Sequence, residues 1–425
     1  MIQQHVGSFS KLSSFKISYL GCRVNQYEAQ VYRDQLEILG LKEEKEDLKP
    51  ADLCIINTCA VTLSAESSSR NQIRKILKSN PKARVIITGC LTSLKEGLLK
   101  EFQNRCEFVS NKDKEDLIAK IFPYEKIFPE FCIKNFSNRS RAFVKIQDGC
   151  NSFCTYCIIP YLRGRSRSRT FSSILSEVHG IVEKGFKEIV ITGINVGDFN
   201  SEGKRLDNLI RELDEIQGLE RIRISSIDPD DVTNDLFAAL ISSKKVCHSL
   251  HLVLQSGSNS ILKRMNRKYN RSNFFNCINR FRAVDPNFSI STDIIVGFPG
   301  ESDQDFEDTL NVVKEVKFSK VHVFPYSPRS RTRAMLYENQ LPSSIINMRK
   351  KVLFEIAKKE AFIWRERFLG KKEVVLIEQI QDGFALGHSD SFLLIKFPNK
   401  CFKIGELVEV EVISNLENSL LGRSL

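Results

Sequence analysis

One stretch decides how the rest of the chain is interpreted: Asp148-Gly149-Cys150-Asn151-Ser152-Phe153-Cys154-Thr155-Tyr156-Cys157. It places three cysteines at CxxxCxxC spacing in a short polar loop, directly after a segment typical of a strand, Arg141–Gln147. Three thiolates that leave one metal position open suit a 4Fe-4S cluster with a free iron. A structural zinc site would need a fourth protein ligand, and no nearby His or Cys supplies one. The pattern therefore favours an iron–sulfur centre over zinc and over three unrelated cysteines.

The bulk composition limits the classes of protein to which this chain can belong. With 425 residues, 42% of them hydrophobic and 27% charged, it has the composition of a globular protein with two or three domains. No apolar run is long enough to cross a bilayer, and the first 15 residues lack a signal-peptide core, so we expect a cytoplasmic protein without a membrane partner. The 12 cysteines are then expected to be metal ligands, catalytic groups or buried thiols. The net charge of +11 favours a polyanionic partner.

Strands and helices alternate over the first 110 residues. The segments with strand character are Phe15–Leu20, Leu53–Ile56, Arg84–Thr88 and Cys106–Val109. Helical patterns occupy Gln26–Leu39, Ser64–Ser79 and Leu91–Gln103. This alternation predicts a parallel sheet with right-handed crossover connections.

Three cysteines of this region, Cys22, Cys59 and Cys90, each lie just past the carboxyl end of a predicted strand. In an open α/β sheet these ends form one edge, where ligands collect, so we expect the three thiols to meet. They are either the ligands of a second iron–sulfur cluster or buried structural thiols, and the pattern alone leaves both alternatives open. Cys54 lies within a strand and is predicted to be a core residue.

The middle of the chain repeats the strand–helix unit six times. Its predicted strands are Arg141–Gln147, Glu188–Thr192, Arg221–Ile227, Leu250–Leu254, Ser289–Val296 and Lys320–Tyr326. Six such units fit a partial TIM-type barrel, in which functional groups lie on the loops that follow the strands. Because the CxxxCxxC loop follows the first strand, we expect it at the mouth of this barrel.

The end of the chain changes character after a basic amphipathic helix over residues 343–369. Four short strands follow, separated by Gly, Asp and Pro-Asn turns: Glu373–Gln381, Gly383–His388, Ser391–Phe397 and Glu406–Ile413. They predict a small antiparallel β barrel. The predicted fold class is therefore α/β, with an N-terminal parallel α/β domain, a partial (βα)6 barrel and a C-terminal small antiparallel barrel.

Motifs in three parts of the chain occur in the order found in one enzyme family. In the first part they are Gly21–Glu28 (GCRVNQYE), Asn57–Val61 (NTCAV) and Thr88–Cys90 (TGC). In the second they are Thr192–Gly197 (TGINVG), His251–Ser258 (HLVLQSGS) and Thr292–Glu301 (TDIIVGFPGE), and in the last Gly387–Asp390 (GHSD). Together they resemble the methylthiotransferases, which are radical S-adenosylmethionine (SAM) enzymes. The resemblance implies an N-terminal domain over residues 14–122, a radical SAM core over 136–368 and an RNA-binding TRAM domain over 369–425.

The resemblance also implies two 4Fe-4S clusters and SAM as cofactors. Cys150, Cys154 and Cys157 would bind the radical-SAM cluster, and Cys22, Cys59 and Cys90 would bind an auxiliary cluster used in sulfur transfer. The positions expected near SAM are Tyr156, Gly193, Asn195, Gln255, Asp293, Gly297, Gly300 and Glu301. In the family reaction, one SAM donates a methyl group and a second yields the radical that removes hydrogen from the substrate carbon. No catalytic residue is assigned apart from the cluster ligands, because no side chain is basic enough to remove a proton from an unactivated aromatic C–H bond.

The residues after the cysteine loop suggest a nucleic-acid substrate. Arg163, Arg165, Arg167 and Arg169 alternate with small residues, and in an extended segment all four would point the same way and could grip phosphates. A solvated charge run or internal ion pairs are the alternative. In the terminal barrel, Phe392 offers an aromatic ring for stacking on a base, or it is a core residue.

Within the family, Gly21–Glu28 and Ile158–Arg169 look most like the branch that acts on N6-threonylcarbamoyladenosine at position 37 of tRNA. The resemblance thus implies a transferase that adds a methylthio group to C2 of that nucleoside. The alternatives are N6-isopentenyladenosine in tRNA and an aspartate of a ribosomal protein. The expected partners are tRNA and an electron donor such as flavodoxin or ferredoxin, and not DNA. The segment Tyr326–Ala334 departs from the family pattern, because Arg331 and Arg333 stand where Gly and Pro are common.

Overall fold

The computed structural model describes residues 12–46, 49–94, 96–123, 125, 130–134 and 139–425. The described residues form two compact units, one drawn from residues 1–135 together with Ile158–Gly164, the other from residues 136–157 and Arg165–Leu425. The segment Ile158–Gly164 follows the CxxxCxxC loop directly in sequence and yet folds into the first unit. The three domain boundaries predicted from the sequence stay a prediction.

The first unit is built on a five-stranded parallel sheet in the order β2-β1-β3-β4-β5. Its strands are β1 Ser14–Tyr19, β2 Lys42–Glu43, β3 Leu53–Thr58, β4 Arg84–Gly89 and β5 Cys106–Phe108. The predicted parallel α/β domain is therefore confirmed, and the two-residue strand β2 was not predicted. The central strand β3 is buried along its whole length because both faces of the sheet are covered.

Helices flank this sheet. They are α1 Arg23–Ile38, α2 Leu63–Ser79, α3 Leu117–Ile121 and α4 Ile159–Arg163, with 3-10 helices at Cys90–Ser93, Glu96–Phe102 and Lys114–Asp116. The helix predicted over 91–103 is thus two short 3-10 helices. Side chains alternate along β3, so Cys54 packs in one apolar cluster with Ile73 and Leu162, and Ile55 packs in another with Tyr32. Cys54 is a core residue, as predicted.

The second unit begins with a partial βα barrel. Its strands are β6 Ala142–Lys145, β9 Glu188–Thr192, β12 Arg221–Ile224, β13 Ser249–His251, β14 Ser289–Val296 and β15 Lys320–Pro325, with minor strands β7 Gln147–Asp148, β8 Arg167–Ser168, β10 Asn200–Ser201 and β11 Lys204–Arg205. The six main strands form two parallel three-stranded sheets, β6-β9-β12 and β13-β14-β15. Parallel bridges Ile222–Val246 and Ile227–Leu252 join them into one curved wall. The predicted partial (βα)6 barrel is confirmed.

Seven helices follow the strands in the described part of this unit. They are α5 Phe171–Glu183, α6 Leu206–Asp214, α7 Asn234–Ser242, α8 Asn259–Arg264, α9 Arg271–Val284, α10 Asp303–Val316 and α11 Ser343–Glu366, with 3-10 helices at Val196–Asp198, Pro229–Asp231 and Arg333–Leu336. Side-chain caps set several of the starts; Ser302 accepts from the amide of Asp305 and thereby begins α10. No helix among the described residues is long and apolar enough to span a membrane.

A closed five-stranded barrel ends the chain, in the order β16-β17-β18-β20-β19. Its strands are β16 Lys372–Gln381, β17 Phe384–Ser389, β18 Leu394–Pro398, β19 Leu407–Asn415 and β20 Leu420–Ser424. The sequence pattern predicted four strands and missed β20, which pairs parallel to β18 and antiparallel to β19 and so closes the barrel. Trp364 of α11 is fully buried in its core. Gly387 is required because a Cβ there would lie 1.8 Å from the carbonyl oxygen of Leu376.

A buried ionic cluster fastens this barrel to the βα barrel. The carboxylate of Glu188 on β9 accepts from Arg223 Nε at 2.7 Å and Arg221 Nη1 at 3.2 Å, and Arg141 Nε lies 3.3 Å from it. Arg223 also donates to the carbonyl oxygen of Ser389 at 2.6 Å, and Arg221 donates to that of Val374. Burial opposes the charge, but the three guanidinium groups hold the pKa of Glu188 below its usual value.

Candidate metal centres

Three cysteines lie at the carboxyl edge of the sheet in the first unit. Cys22 is the N-cap of α1 after β1, Cys59 follows β3, and Cys90 follows β4. Because β1, β3 and β4 are adjacent and parallel, their carboxyl ends meet at one edge. The structure therefore brings together the three residues that the sequence analysis grouped.

The turn before Cys22 is shaped around Cys59. Gly21 has φ +93°, and a Cβ there would lie 2.7 Å from Cys59 Sγ, so only glycine allows this approach. The pKa of the Cys59 thiol is raised to about 11, mainly by burial and also by the thiols of Cys90 and Cys22, while a backbone hydrogen bond at Val61 and the charge of Arg163 act to lower it.

Each cysteine set supplies three thiols. A structural zinc ion usually takes four protein ligands, whereas three thiolates leave one iron of a 4Fe-4S cluster open, so the number of ligands in each set fits such a cluster. Among the described residues, a further group of possible metal ligands, with ligand atoms within 4.8 Å of one another, is His251, Asp293 and His322.

In the second unit, the CxxxCxxC loop leaves β7 through Gly149 at φ +72° and is held by the segment that follows α8. The amide of Thr155 donates to the carbonyl oxygen of Met265 at 3.0 Å, and the Asn266 side chain donates to that of Phe153 at 3.2 Å. The amide of Cys157 donates to the carbonyl oxygen of Cys154 at 2.9 Å. These three contacts hold the backbone of the loop without involving the thiols, and the amide of Ser152 also donates to Cys150 Sγ at 3.4 Å.

Arg267 is a site residue that the sequence analysis missed. Its Nη1 donates to Cys154 Sγ at 2.9 Å, its other terminal nitrogen pairs with Asp228, and its guanidinium lies 4.8 Å from the ring centroid of Tyr269. A cation that donates to a cluster thiolate stabilises the deprotonated ligand. Nothing in the sequence distinguishes this arginine, because only the fold brings residue 267 to residue 154.

The glycine-rich turn after β9 packs on the strand that leads into the cysteine loop. Gln147 Oε1 accepts from the amides of Ile194 at 3.0 Å and Asn195 at 2.9 Å. A Cβ on Gly193 would lie 3.1 Å from the same oxygen, so glycine permits the close approach. Asn195 uses its side-chain oxygen to accept from the amide of Gly197 at 3.2 Å. Their predicted contact with SAM stays a prediction.

The second glycine-rich segment encloses a buried carboxylate. Glu301 Oε2 accepts from the amide of Gly297 at 2.9 Å, and Glu301 Oε1 pairs with Arg349 at 2.6 Å. Gly300 has φ +77°, and a Cβ there would lie 2.9 Å from Arg264 Nη2. Glu301 therefore shapes the loop, and Tyr156 packs against the apolar cluster that contains Phe298. Direct SAM contacts of Tyr156, Gly297, Gly300 and Glu301 stay predictions.

Gln255, in the segment that follows β13, lies beside Asp293 on β14, since the amide of Gln255 donates to the carbonyl oxygen of Asp293 at 2.8 Å. The Asp293 carboxylate lies 3.1 Å from His251 Nε2, whose Nδ1 lies 3.0 Å from Ser291 Oγ. His322, the register partner of Asp293 on β15, places its ring 5.7 Å from that of His251. His251, Asp293 and His322 form a partly exposed polar trio, and the sequence analysis identified only Asp293. The roles predicted for Gln255 and Asp293 are untested.

The prediction that four arginines form one row is wrong. Arg163 ends α4, and its side chain is fully buried against Glu28 in the first unit. Arg169 pairs with Glu177 and donates to the carbonyl oxygen of Lys145. Arg165, over the ring of Phe153 at 4.3 Å, and Arg167 remain exposed. The helix α4, the burial of Arg163 and the pairing of the partly buried Arg169 with Glu177 break the extended pattern on which the prediction depended.

Phe392 is half-buried in the turn between β17 and β18. Its ring stacks on His388 at 4.4 Å and lies 5.0 Å from the guanidinium of Arg223. It is thus engaged with neighbouring side chains, and its contact with RNA stays a prediction.

Comparison with known proteins defines the class. The model of the radical SAM superfamily matches residues 144–313, and that of the uncharacterized protein family UPF0004 matches residues 14–110. The radical SAM methyltransferase TsrM from Kitasatospora setae has a TM-score of 0.55, covers 75% of this chain and 77% of its own, and is 13% identical, which shows a shared fold. These matches and the cysteine loop on a βα barrel define a radical SAM protein, and they confirm the prediction of 4Fe-4S and SAM as cofactors.

Two relatives show to which family of radical SAM proteins the chain belongs. The threonylcarbamoyladenosine tRNA methylthiotransferase MtaB of Chlamydia pneumoniae is 54% identical over 410 residues, covering 96% of this chain and 97% of the relative. The tRNA-2-methylthio-N(6)-dimethylallyladenosine synthase of Clostridium tetani is 34% identical, covering 97% of this chain and 96% of the relative. The chain belongs to the methylthiotransferase family of radical SAM proteins, as its motifs suggested.

Proposed function

We propose that this chain is a transferase that adds a methylthio group to C2 of N6-threonylcarbamoyladenosine at position 37 of tRNA. The observation that carries the proposal is the 54% identity, over nearly both chains, to a relative named for that nucleoside. The relative named for dimethylallyladenosine is less similar, at 34% identity. The isopentenyladenosine and ribosomal-protein alternatives are therefore not favoured.

The cysteine geometry supports this chemistry. Cys22, Cys59 and Cys90 would hold an auxiliary 4Fe-4S cluster, and Cys150, Cys154 and Cys157 would hold the radical-SAM cluster. When bound, the two clusters and SAM supply the one-electron and sulfur-transfer chemistry that side chains lack. The chain contributes the fixed loop at Thr155, the cation of Arg267 at Cys154 and the glycine turns that allow close backbone approach. An electron donor such as flavodoxin or ferredoxin, and a location in the cytoplasm, are part of the proposal.

A polar trio on neighbouring strands of the βα barrel supports the choice of nucleoside. His251, Asp293 and His322 present two imidazoles and a carboxylate on neighbouring strands, with the side chains of His251 and Asp293 17% and 27% exposed. The threonylcarbamoyl group carries a carboxylate and a hydroxyl, which hydrogen-bond with such groups, whereas an isopentenyl group is apolar. This polar trio suits the threonylcarbamoyl group better, because an apolar substituent placed against the trio would leave its polar atoms without hydrogen-bond partners.

Mass spectrometry of tRNA nucleosides tests the proposal. In cells without the gene, we expect the 2-methylthio derivative of threonylcarbamoyladenosine to disappear and threonylcarbamoyladenosine to accumulate. Methylthio-isopentenyladenosine from the same preparation of total tRNA serves as the internal control and should not change. An unchanged pool of threonylcarbamoyladenosine and of its methylthio derivative would contradict the proposed function.

The exposed arginines give a second prediction. Replacing Arg165 and Arg167 together with Ala should weaken tRNA binding and reduce the slope of log K against log salt by about 2, since each phosphate contact contributes about 1. Binding measured at several salt concentrations checks this. Arg74→Ala, which removes a partly exposed arginine paired with Glu101, is the matched control and should leave the slope unchanged. An unchanged slope in the double variant would show that these arginines do not contact phosphates.

A further inference from the structure

The polar trio of His251, Asp293 and His322 lies on one face of a three-stranded parallel sheet. Its members come from β13, β14 and β15, which are neighbours in that sheet. Asp293 is the register partner of His322, and Ser291, two residues before Asp293, is the register partner of His251. Side chains two residues apart on a strand point to the same face, so the three side chains project from the same side of the sheet.

The donor atoms of the polar trio are spaced for one metal ion. One ligand atom from each residue lies within 4.8 Å of the other two. Nε2 of His251 and a carboxylate oxygen of Asp293 are 3.1 Å apart. Bonds of about 2.1 Å to one ion place two ligands about 3.0 Å apart at a right angle and about 3.4 Å apart at a tetrahedral angle. His251 and Asp293 therefore have the separation of two ligands on one ion, and His322 lies within reach of the same ion.

Ser291 orients the first of the two histidines. Nδ1 of His251 lies 3.0 Å from Ser291 Oγ, while Nε2 faces Asp293. A histidine that binds a metal through one ring nitrogen almost always donates the N–H of the other to an oxygen, which fixes its tautomer and its ring orientation. When Nδ1 donates to Ser291, Nε2 carries the lone pair that a metal requires. The contact with Ser291 is thus the outer contact expected of a metal ligand.

A second histidine–carboxylate pair of the chain shows what an ordinary pair looks like. His248 Nδ1 lies 3.0 Å from a carboxylate oxygen of Asp285, and the His248 side chain is 55% exposed. In the part of the chain that the structure describes, this pair belongs to no group of three possible metal ligands. The polar trio differs from it by a second imidazole and by a more buried position.

The polar trio also has room for a ligand from outside the chain. The side chains of His251 and Asp293 are partly exposed, whereas Thr292 and Ile294, on the opposite face of β14, are buried. Sites in which a metal acts on a substrate keep an open position beside three protein ligands, whereas structural sites are closed by four. Two imidazoles and one carboxylate with open positions suit divalent ions such as Fe²⁺, Mn²⁺ and Zn²⁺. The trio therefore has the donor set of an open metal site.

We propose that His251, Asp293 and His322 bind a divalent transition-metal ion, and that its open position takes the carboxylate of the threonylcarbamoyl group. The second half of this inference rests on the proposed function. Two carboxylates side by side repel each other, so Asp293 by itself opposes the carboxylate of the substrate. A divalent ion between them binds both. The inference gives Asp293 a metal in place of the SAM contact predicted from the sequence.

The metal site is tested by titrating the full, cluster-containing chain with Mn²⁺ and measuring free Mn²⁺ by electron paramagnetic resonance. Mn²⁺ prefers oxygen and nitrogen ligands to thiolates, so it does not compete for the cysteines. We expect about one bound Mn²⁺ per chain, because one chain supplies one set of three ligands, and its loss in Asp293→Ala and in His322→Ala. Ser291→Ala should weaken binding about ten- to hundredfold, because His251 loses the partner that orients it. His248→Ala is the matched control and should bind Mn²⁺ as the parent does.

The substrate half is tested with anticodon stem-loop RNAs that differ only at position 37. The stem-loop with threonylcarbamoyladenosine should bind about tenfold more tightly when Mn²⁺ is present, because a shared bond couples the two binding events. The stem-loop with isopentenyladenosine has no carboxylate at that position and should show no such gain. In Asp293→Ala the gain should disappear for both RNAs. An equal effect of Mn²⁺ on the two stem-loops would overturn the assignment of the carboxylate.

A parent chain that binds no Mn²⁺ would overturn the metal site, and so would equal binding in the parent and in folded Asp293→Ala and His322→Ala. Circular dichroism shows whether the variants are folded. If those two are not, Ser291→Ala, which removes only a hydroxyl, decides the question, and unchanged affinity in it would overturn the site. Mn²⁺ binding is measured without the reaction. Its failure therefore leaves the proposed function intact, whereas a chain that binds Mn²⁺ but does not modify threonylcarbamoyladenosine would contradict the proposed function and leave the metal site.

Discussion

Replacing Cys150, Cys154 and Cys157 together with Ala is expected to abolish methylthiolation of tRNA and to remove about half of the bound iron. Anaerobic reconstitution of the unmodified chain should give about eight irons, if each three-cysteine set holds one four-iron cluster. The loop itself should keep its shape, because the contacts of Thr155 and Asn266 do not involve the thiols. Iron per chain and the methylthio content of tRNA nucleosides are the two measurements.

Two other cysteines provide matched controls for this experiment. Cys401 is exposed, and Cys54 lies buried within β3, away from the carboxyl edge. Cys401→Ser should keep all iron and activity, and Cys54→Ala should lose some stability but no iron. Iron near four per chain in the unmodified protein would contradict the assignment of two clusters. A triple variant that still modifies tRNA would contradict the assignment of the loop.

Replacing Glu188 with Ala is expected to lower the free energy of unfolding by about 3–5 kcal/mol. The substitution removes the carboxylate that Arg141, Arg221 and Arg223 share and leaves three guanidinium groups without it in a buried site. Denaturant unfolding monitored by circular dichroism checks the value. Glu107→Ala is the control, because it breaks an exposed pair with Arg84 and should cost less than about 1 kcal/mol. Equal losses in the two variants would contradict the role given to Glu188.

The pKa of Glu188 gives the same interaction a pH dependence. Because the pKa is lowered in the folded state, the stabilisation is present above the unfolded value, about 4.3, and is lost as the pH falls through the folded pKa. The difference in stability between the unmodified protein and Glu188→Ala should therefore shrink in acid. A difference that stays constant down to pH 3 would show that the carboxylate acts through packing alone.

The sequence predicted the repeating elements well. The bounds of β9 and β14 agree with the predicted Glu188–Thr192 and Ser289–Val296. These segments have clear periodicity between strong turn or cap signals, so local physics fixes where they begin and end. The strand β20 was missed because Leu-Leu-Gly-Arg-Ser is short and contains a glycine, and only pairing with β18 and β19 makes it a strand.

One departure from the family pattern has a clear conformational meaning. Arg331, which stands where glycine is common, adopts φ +72°, a conformation that favours glycine. The backbone of this loop therefore keeps the shape that glycine suits, although the side chain has changed. Reasoning from residue types alone left this conformation open.

The cysteines show what the sequence determined and what the fold decided. The sequence alone predicted both cysteine groups: the loop Cys150–Cys157 from its spacing, and Cys22, Cys59 and Cys90 from their positions at the ends of strands. Both predictions follow from the local order of residues and from the geometry of parallel strands. The sequence alone did not predict which groups the arginines after the loop contact. Arg163 is buried against Glu28, 135 residues away, whereas Arg165 stays exposed. Arginines in one run look alike in sequence. Only the folded chain determines that Arg163 pairs with Glu28 and Arg169 with Glu177, both buried carboxylates, whereas Arg165 and Arg167 face solvent.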